Sequence, residues 1–310
     1  MARFTSAFAS LELLRQPEQP NEPLQAFDAA CQQQQRVGQL LHSQTLSADS
    51  RVLLLNDSFG ALACSLAGRC RLTSSGDSHL GFLALQHNLA RNQLTADSMT
   101  FVPASTVASG PFDLVLIRVP KTLALLEEQL IRLQGQLATG AQVIAGAMLK
   151  HLPRAAGDLL EQYIGPVQAS LAVKKARLLM ATPSPMPASV SPYPSRYRLE
   201  QPALELLNHA NLFCREGLDI GTRAMLPHLP RSLNPLRVAD LGCGNGVLGI
   251  VYALANPQAE LTLVDESYMA VQSAAANWQA ALGERPANIR ADDGLAGQPA
   301  ESLDLVLCNP

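Results

Sequence analysis

Val238-Ala-Asp240-Leu-Gly242-Cys-Gly244-Asn-Gly246-Val-Leu-Gly249 decides how this chain folds. Its apolar start predicts a buried strand over Leu236–Leu241, and the run Gly246–Ala255 has helical period. Glycines fill the turn between them. Gly242, Gly244 and Gly246 let the backbone reverse tightly and let a ligand approach the main chain. A strand, a glycine turn and a helix in that order belong to a parallel α/β sheet, and dinucleotide enzymes use a similar turn. Two acids narrow the ligand. Asp240 stands two residues before the first glycine, and Asp265 ends the next strand, Glu260–Asp265. The pair suits a cofactor with an amino-acid tail and a ribose. Asp240 orients the ammonium region, directly or through water, and Asp265 accepts from both ribose hydroxyls. Asp265 alone would equally suit the ribose of a nicotinamide dinucleotide.

Outward from this loop, apolar runs of strand length alternate with helical stretches. Downstream lie a helix over Tyr268–Leu282 and strands at Asn288–Ala291 and Leu303–Cys308. Upstream, strands are expected at Arg51–Leu55, Met99–Val102, Phe112–Val119, Gln142–Ala147, Val167–Ala172 and Arg177–Ala181. Helices are expected at Ala61–Ala67, Leu80–Arg91, Thr122–Leu137 and Pro153–Tyr163. Alternation on both sides means two α/β units with mainly parallel sheets. Five prolines between Pro183 and Pro194 forbid helix and ladder alike and predict an extended connector. The expected domains are residues 1–182 and 197–310, joined by 183–196.

The two halves read as copies. Phe112-Asp-Leu-Val-Leu-Ile-Arg-Val-Pro120 matches Leu303-Asp-Leu-Val-Leu-Cys-Asn-Pro310, and Leu55–Leu62 matches Leu241–Leu248. Gly76-Asp77-Ser78 is set against Val264-Asp265-Glu266. The copies are not chemically equal. Leu54, Asn56 and Ser58 stand for Asp240, Gly242 and Gly244, and Val119-Pro120 for Asn309-Pro310. The first copy therefore reads as a scaffold without cofactor chemistry, with RNA binding as its expected task.

Composition limits the alternatives. The 310 residues are 47% hydrophobic and 16% charged, without an apolar run long enough to span a membrane. The six cysteines are scattered, which argues for reduced thiols in the cytoplasm and against a zinc site or disulfide framework. The six histidines show no ligand spacing. A net charge of −3 means that any nucleic-acid partner must meet a local basic surface. Lys174-Lys175-Ala-Arg177 is the densest such cluster.

The Asp-Leu-Gly-Cys-Gly-Asn-Gly string resembles that of class I S-adenosylmethionine-dependent methyltransferases of the small-domain type. Upstream, Asn211-Leu-Phe213-Cys-Arg-Glu-Gly217-Leu-Asp219-Ile-Gly221 resembles the segment before the glycine loop in bacterial ribosomal RNA guanine-N2 methyltransferases. Leu53-Leu-Leu-Asn-Asp-Ser-Phe-Gly-Ala-Leu, Val119-Pro-Lys-Thr-Leu, Val143-Ile-Ala-Gly-Ala and Lys174-Lys-Ala-Arg-Leu place the resemblance with the large-subunit branch of that family, the methyltransferase G group, over nearly the whole chain. The resemblance implies two tandem Rossmann-like methyltransferase domains, the first degenerate. It implies S-adenosyl-L-methionine as cofactor and free 23S ribosomal RNA as substrate, acted on by a monomer with no metal and no membrane. It also implies substrate or RNA contacts from Phe213, Gly217 and Asp219.

Asn309-Pro310 would begin the family's Asn-Pro-Pro-aromatic motif. A guanine amine is a poor nucleophile because its lone pair is delocalised into the ring. The Asn309 side-chain carbonyl and the Pro310 main-chain carbonyl can accept its two N–H bonds and favour lone-pair character as attack begins. Adenine recognition needs an acceptor after the third strand, where Asp293 and Asp292 are the candidates. In the first copy the chain runs on from Pro120 to Thr182. By that parallel the second copy needs roughly 60 further residues, and the 310-residue form is expected to be truncated and inactive. Rival readings are a small-subunit RNA methyltransferase, a protein-glutamine or DNA-adenine methyltransferase, and a non-catalytic RNA-binding protein. Cofactor binding discriminates the last.

Overall fold

The computed structural model describes residues 3–5, 9–19, 24–32, 34, 46–97, 99–232 and 234–309. The chain divides into two compact units, Met1–Ser191 and Pro192–Pro310.

The first unit opens with a hairpin, β1 (Arg3–Thr5) and β2 (Ser10–Glu12), followed by β3 (Arg51–Leu55), α1 (Ala61–Leu66), β4 (Arg71–Gly76), α2 (His79–Arg91) and β5 (Met99–Pro103). It continues with β6 (Phe112–Arg118), α3 (Leu123–Leu133), β7 (Leu137–Met148), α4 (Arg154–Tyr163), β8 (Val167–Ala169) and β9 (Ala176–Ala181). The strand order is β5-β4-β3-β6-β7-β9-β8, parallel except for antiparallel β9. Alternation along β3 sends side chains to both faces. Val52 and Leu54 pack with Leu62 and Leu85 on one side, and Leu53 and Leu55 with Leu126, Leu130 and Leu160 on the other. Burial on both faces is why the central strands read as unbroken apolar runs.

The second unit opens with the hairpin β10 (Ser195–Leu199) and β11 (Leu204–Asn208). Then come α5 (Ile220–Met225), β12 (Arg237–Leu241), α6 (Val247–Ala255), β13 (Glu260–Asp265), α7 (Tyr268–Leu282), β14 (Asn288–Ala291) and β15 (Leu305–Cys308). All four core strands are parallel in the order β14-β13-β12-β15, which repeats β5-β4-β3-β6. Val238, Leu248, Ile250, Leu263, Ala274 and Trp278 form its core, with the Trp278 Nε1–H donating to the Arg285 carbonyl at 2.8 Å. Met269 is buried and so serves as packing.

Several expectations need correction. The helix expected over Thr122–Leu137 stops at Leu133, because Gly135 turns the chain with φ 78° and β7 starts at Leu137. The connector expected through residue 196 gives way to β10 at Ser195. Strand β4 was not expected at all: its buried Ser74 and Ser75 interrupt the apolar signal. The hairpins were also missed, and they extend the repeat. A buried asparagine pins each one. Asn88 exchanges bonds with Leu14 N and O at 2.9 Å each and donates to Phe59 O. Asn277 exchanges bonds with Leu207 N and O at 2.8 and 3.0 Å and donates to Asn245 O.

The strand registers also shift two correspondences between the copies. Leu55 pairs with Ser75 as Leu241 pairs with Val264, so Gly76, not Asp77, stands where Asp265 stands. Ser78 and Ser267 then fall together as side-chain caps of α2 and α7. Leu55 pairs with Ile117 as Leu241 pairs with Cys308, so Arg118, not Val119, is the counterpart of Asn309.

Candidate functional site

The glycine turn of the second unit is built as its sequence requires. Gly242, Gly244 and Gly246 have φ of 69°, 54° and 83°, a region that residues with a Cβ rarely enter. Gly246 caps α6 and packs on Ala274, where a Cβ would come within 3.1 Å of that side chain. At Gly242 and Gly244 a Cβ would meet no protein atom within 4 Å. The first glycine pair thus leaves room on the main chain for something that is not protein.

That room is a cavity of about 550 Å³ at the carboxyl ends of β12, β13 and β15. A ligand of nucleoside size fits such a volume. Its wall includes Gly242, Gly244, Asp265, Asn309, Asp219 and Phe213, drawn from four separate stretches of chain. Asp265 is held at its rim by two backbone donors: Gly244 N reaches Oδ2 at 2.9 Å and Ser267 N reaches Oδ1 at 2.9 Å. Each carboxylate oxygen keeps a lone pair for a further donor.

Asp240 has a different place. It is 1% exposed, does not line the cavity, and accepts from Gly249 N at 2.8 Å. Burial pushes its carboxyl up to about 7; the Gly249 bond works against this, and the Asp265 charge adds to it. It braces the first turn of α6 beneath the loop, which removes it from direct contact with a ligand in the cavity.

Asn309 follows β15 and lines the cavity. Its amide nitrogen donates to Asp219 Oδ1 and Oδ2 at 3.2 and 3.3 Å and to Thr222 Oγ1 at 3.0 Å. Asp219 also caps α5, accepting from Gly221 N at 2.8 Å and Thr222 N at 3.2 Å. Its carboxylate thus accepts from Gly221, Thr222 and Asn309 within the protein while still lining the cavity. Pro310 lies outside the described residues. Phe213 is 86% exposed and lines the cavity, as does Gly217.

Neither adenine candidate lines the cavity. Asp292 is engaged with Arg290 Nε at 2.9 Å and with Asp293 N, which leaves Asp293 as the exposed carboxylate of the two. Lys174 and Lys175 lie in the first unit, at the tip of the loop between β8 and β9. They form the two-residue turn closed by reciprocal Val173–Ala176 bonds of 2.9 Å, with φ of 48° and 61°. Arg177 is partly buried in β9.

Sequence reasoning missed Tyr197, Thr222 and Asn245. Asn245 donates to the Tyr197 hydroxyl at 3.1 Å and to Asn208 Oδ1 at 2.9 Å, and so ties the glycine loop to the β10–β11 hairpin. Its place between Gly244 and Gly246 was the available signal. Among the described residues no group of three or more His, Cys, Asp or Glu side chains could hold a metal ion. No described helix is long and apolar enough to cross a membrane.

Family models and curated relatives point to one family. The RLMG N-terminal domain model matches residues 1–185, and the methyltransferase small domain model matches residues 203–310. The chain is 75% identical over 310 residues to the ribosomal RNA large subunit methyltransferase G of Ectopseudomonas mendocina (strain ymp), covering 100% of the chain and 82% of that protein. It is 77% identical over 303 residues to the protein of that name from Stutzerimonas stutzeri (strain A1501), covering 98% of the chain and 80% of that protein. Among solved structures, the T. thermophilus 16S rRNA N2 G1207 methyltransferase in complex with AdoMet and guanosine superposes with a TM-score of 0.72 at 18% identity, over 100% of the chain and 80% of that structure. At this identity the likeness is one of fold.

Proposed function

The chain belongs to the ribosomal RNA large subunit methyltransferase G family, and from that premise we propose that its second unit methylates the exocyclic N2 amine of a guanine in 23S ribosomal RNA. The methyl donor is S-adenosyl-L-methionine, which supplies an activated methyl group on a sulfonium. The residues present suit it. Gly242 and Gly244 leave their main chain open to a ligand, and Asp265 offers two fixed acceptors for ribose hydroxyls. Asp293, exposed and outside the cavity lining, is the candidate acceptor for the adenine amine.

The observation that carries the reading is the position of Asn309 in the wall of the same cavity as Asp265. Its carbonyl oxygen accepts one N–H of the guanine amine and the Pro310 carbonyl accepts the other. The nitrogen is then held toward the donor with its lone pair less engaged with the ring. Phe213, exposed and lining the cavity, stacks on an extruded base or its neighbour. No strong base is needed: a nitrogen that has accepted the methyl group is cationic and acidic, and it would give up one proton to water.

The first unit, over residues 1–182, serves as an RNA scaffold. It has Gly76 and Arg118 where the second has Asp265 and Asn309, so the ribose acceptor and the amine acceptor are both missing from it. Lys174, Lys175 and Arg177 are its contacts to phosphate. The protein acts as a cytoplasmic monomer on free RNA and without metal.

The test is methyl transfer from labelled S-adenosylmethionine to ribosomal RNA from cells lacking the gene, with mass mapping of the product. One methylated guanine in the large-subunit RNA is expected, and Asn309→Ala should lose it. Methylation confined to small-subunit RNA would overturn the substrate. Absence of S-adenosylmethionine binding in calorimetry would overturn the activity.

A further inference from the structure

The carboxamide of Asn309 has a donor end and an acceptor end of almost the same size. Rotated by half a turn it would set an NH₂ against the NH₂ of the target, donor facing donor. Something must choose the orientation. In the structure the choice falls to an acceptor-only group, the Asp219 carboxylate, which takes the amide nitrogen together with Thr222 Oγ1.

A second neighbour reinforces it. A Cβ on Gly221 would lie 2.3 Å from Asn309 Oδ1 and 3.0 Å from its Cγ. The carboxamide therefore rests on backbone that only glycine leaves bare. Both partners come from one helix start, Asp219-Ile-Gly221-Thr222, and Asp219 fixes that start by accepting from Gly221 N and Thr222 N.

The first unit shows which part of this arrangement belongs to the fold and which to the chemistry. Asp28 accepts from Ala30 N at 2.9 Å and Cys31 N at 3.1 Å, as Asp219 does from Gly221 and Thr222. It grips Arg118, the counterpart of Asn309, through a 2.5 Å ion pair. An aspartate that caps a helical turn and latches the residue one past the last β3–β6 or β12–β15 pair is thus common to both copies. Only the second copy puts a carboxamide in the latch and a glycine beneath it.

We propose that Asp219 is a positioning residue, which with Gly221 sets the Asn309 carboxamide so that its oxygen, not its nitrogen, meets the target amine. This rests on the reading of Asn309 as an amine acceptor. The anion is persistent: burial opposes it, but bonds from Thr222, Asn309 and the Gly221 N–H outweigh burial and hold the carboxyl below its ordinary range.

Three variants test it. Asp219→Asn keeps an equally good helix cap but opposes a second NH₂ to that of Asn309. Asp219→Ser keeps the cap with a side chain too short to reach. Gly221→Ala leaves the cap and displaces the carboxamide. Each should lower kcat about 100-fold, with S-adenosylmethionine Kd within about twofold of the parent and little change in Tm. Asn309→Ala should fall at least as far. In ¹⁵N spectra, the side-chain NH₂ signal of Asn309, assigned by its loss in Asn309→Ala, should move in Asp219→Asn whether or not turnover is measured.

Parental kcat in Asp219→Asn and Gly221→Ala beside an inactive Asn309→Ala would reduce Asp219 to a helix cap. An unmoved NH₂ signal in Asp219→Asn would do the same. Full activity in Asn309→Ala would instead overturn the amine-acceptor reading itself.

Discussion

Arg118 occupies in the first unit the place that Asn309 occupies in the second, one residue past the strand pair Leu55–Ile117 or Leu241–Cys308. The guanidinium binds Asp28 and donates to Gly146 O at 3.1 Å, so the position is filled by an ion pair instead of a hydrogen-bond acceptor. Arg118→Ala leaves Asp28 without its counter-charge. Because Asp28 is about one-third exposed, the cost should be about 2 kcal/mol, less than for a fully buried pair. A fall in the Tm of the first unit with unchanged S-adenosylmethionine affinity is expected. Weakened cofactor binding would show that the first copy retains a part in the cofactor site.

The glycines separate into two kinds. Alanine at Gly246 forces a Cβ against Ala274 and Leu263 at a φ of 83°, and should cost roughly 2–3 kcal/mol of stability. Alanine at Gly244 meets no protein atom, so about 1 kcal/mol of backbone strain is expected. Its methyl group would nevertheless stand at the cavity wall, and S-adenosylmethionine affinity should fall at least about tenfold, a loss of about 1.4 kcal/mol. Calorimetry and thermal melts on both variants check this. Parental affinity in Gly244→Ala would show that the ligand does not approach the loop.

Asp240 gives a pH dependence of definite sign. Its carboxyl is raised by burial to about 7 in the folded state, so the fold holds this proton more tightly than the unfolded chain does. The resulting stability is full at acid pH below the ordinary carboxylate pKa and is lost as pH rises through about 7. Asp240→Asn cannot ionise and still accepts from Gly249 N. Its stability advantage over the parent, read as a Tm difference, should therefore grow from pH 5 to pH 8 by about 3 kcal/mol and level off above pH 7. A constant difference across that range would mean that the Asp240 carboxyl does not carry this burden.

Much of this was readable in the chain, and the failures have physical causes. Strands β3, β6, β12 and β13 are buried on one or both faces, so their apolar runs are unbroken. Strand β4 sets Ser74 and Ser75 in the interior, and hydroxyls there erase the pattern. The pairing of Asp77 with Asp265 failed because two neighbouring residues both suit a strand end, and only the ladder register separates them. The glycine loop and Asp265 were legible because their chemistry is local. The link from Asp219 to Asn309 was not, since 90 residues separate two side chains that are brought together only by the parallel sheet and α5.

Lys174 and Lys175 provide the sharpest test of RNA binding by the first unit. Both occupy positive φ in a two-residue hairpin turn, where Asn-Gly is the favoured pair and lysine is strained. A turn that served the fold alone would gain stability by exchanging them. The double variant Lys174→Asn, Lys175→Gly should raise Tm while removing two exposed charges. If these lysines meet phosphate, RNA affinity should fall, and the slope of log affinity against log salt should lessen by about two contacts' worth. Filter binding at several salt concentrations measures both quantities. A higher Tm with unchanged affinity and slope would place the RNA contact elsewhere on the protein.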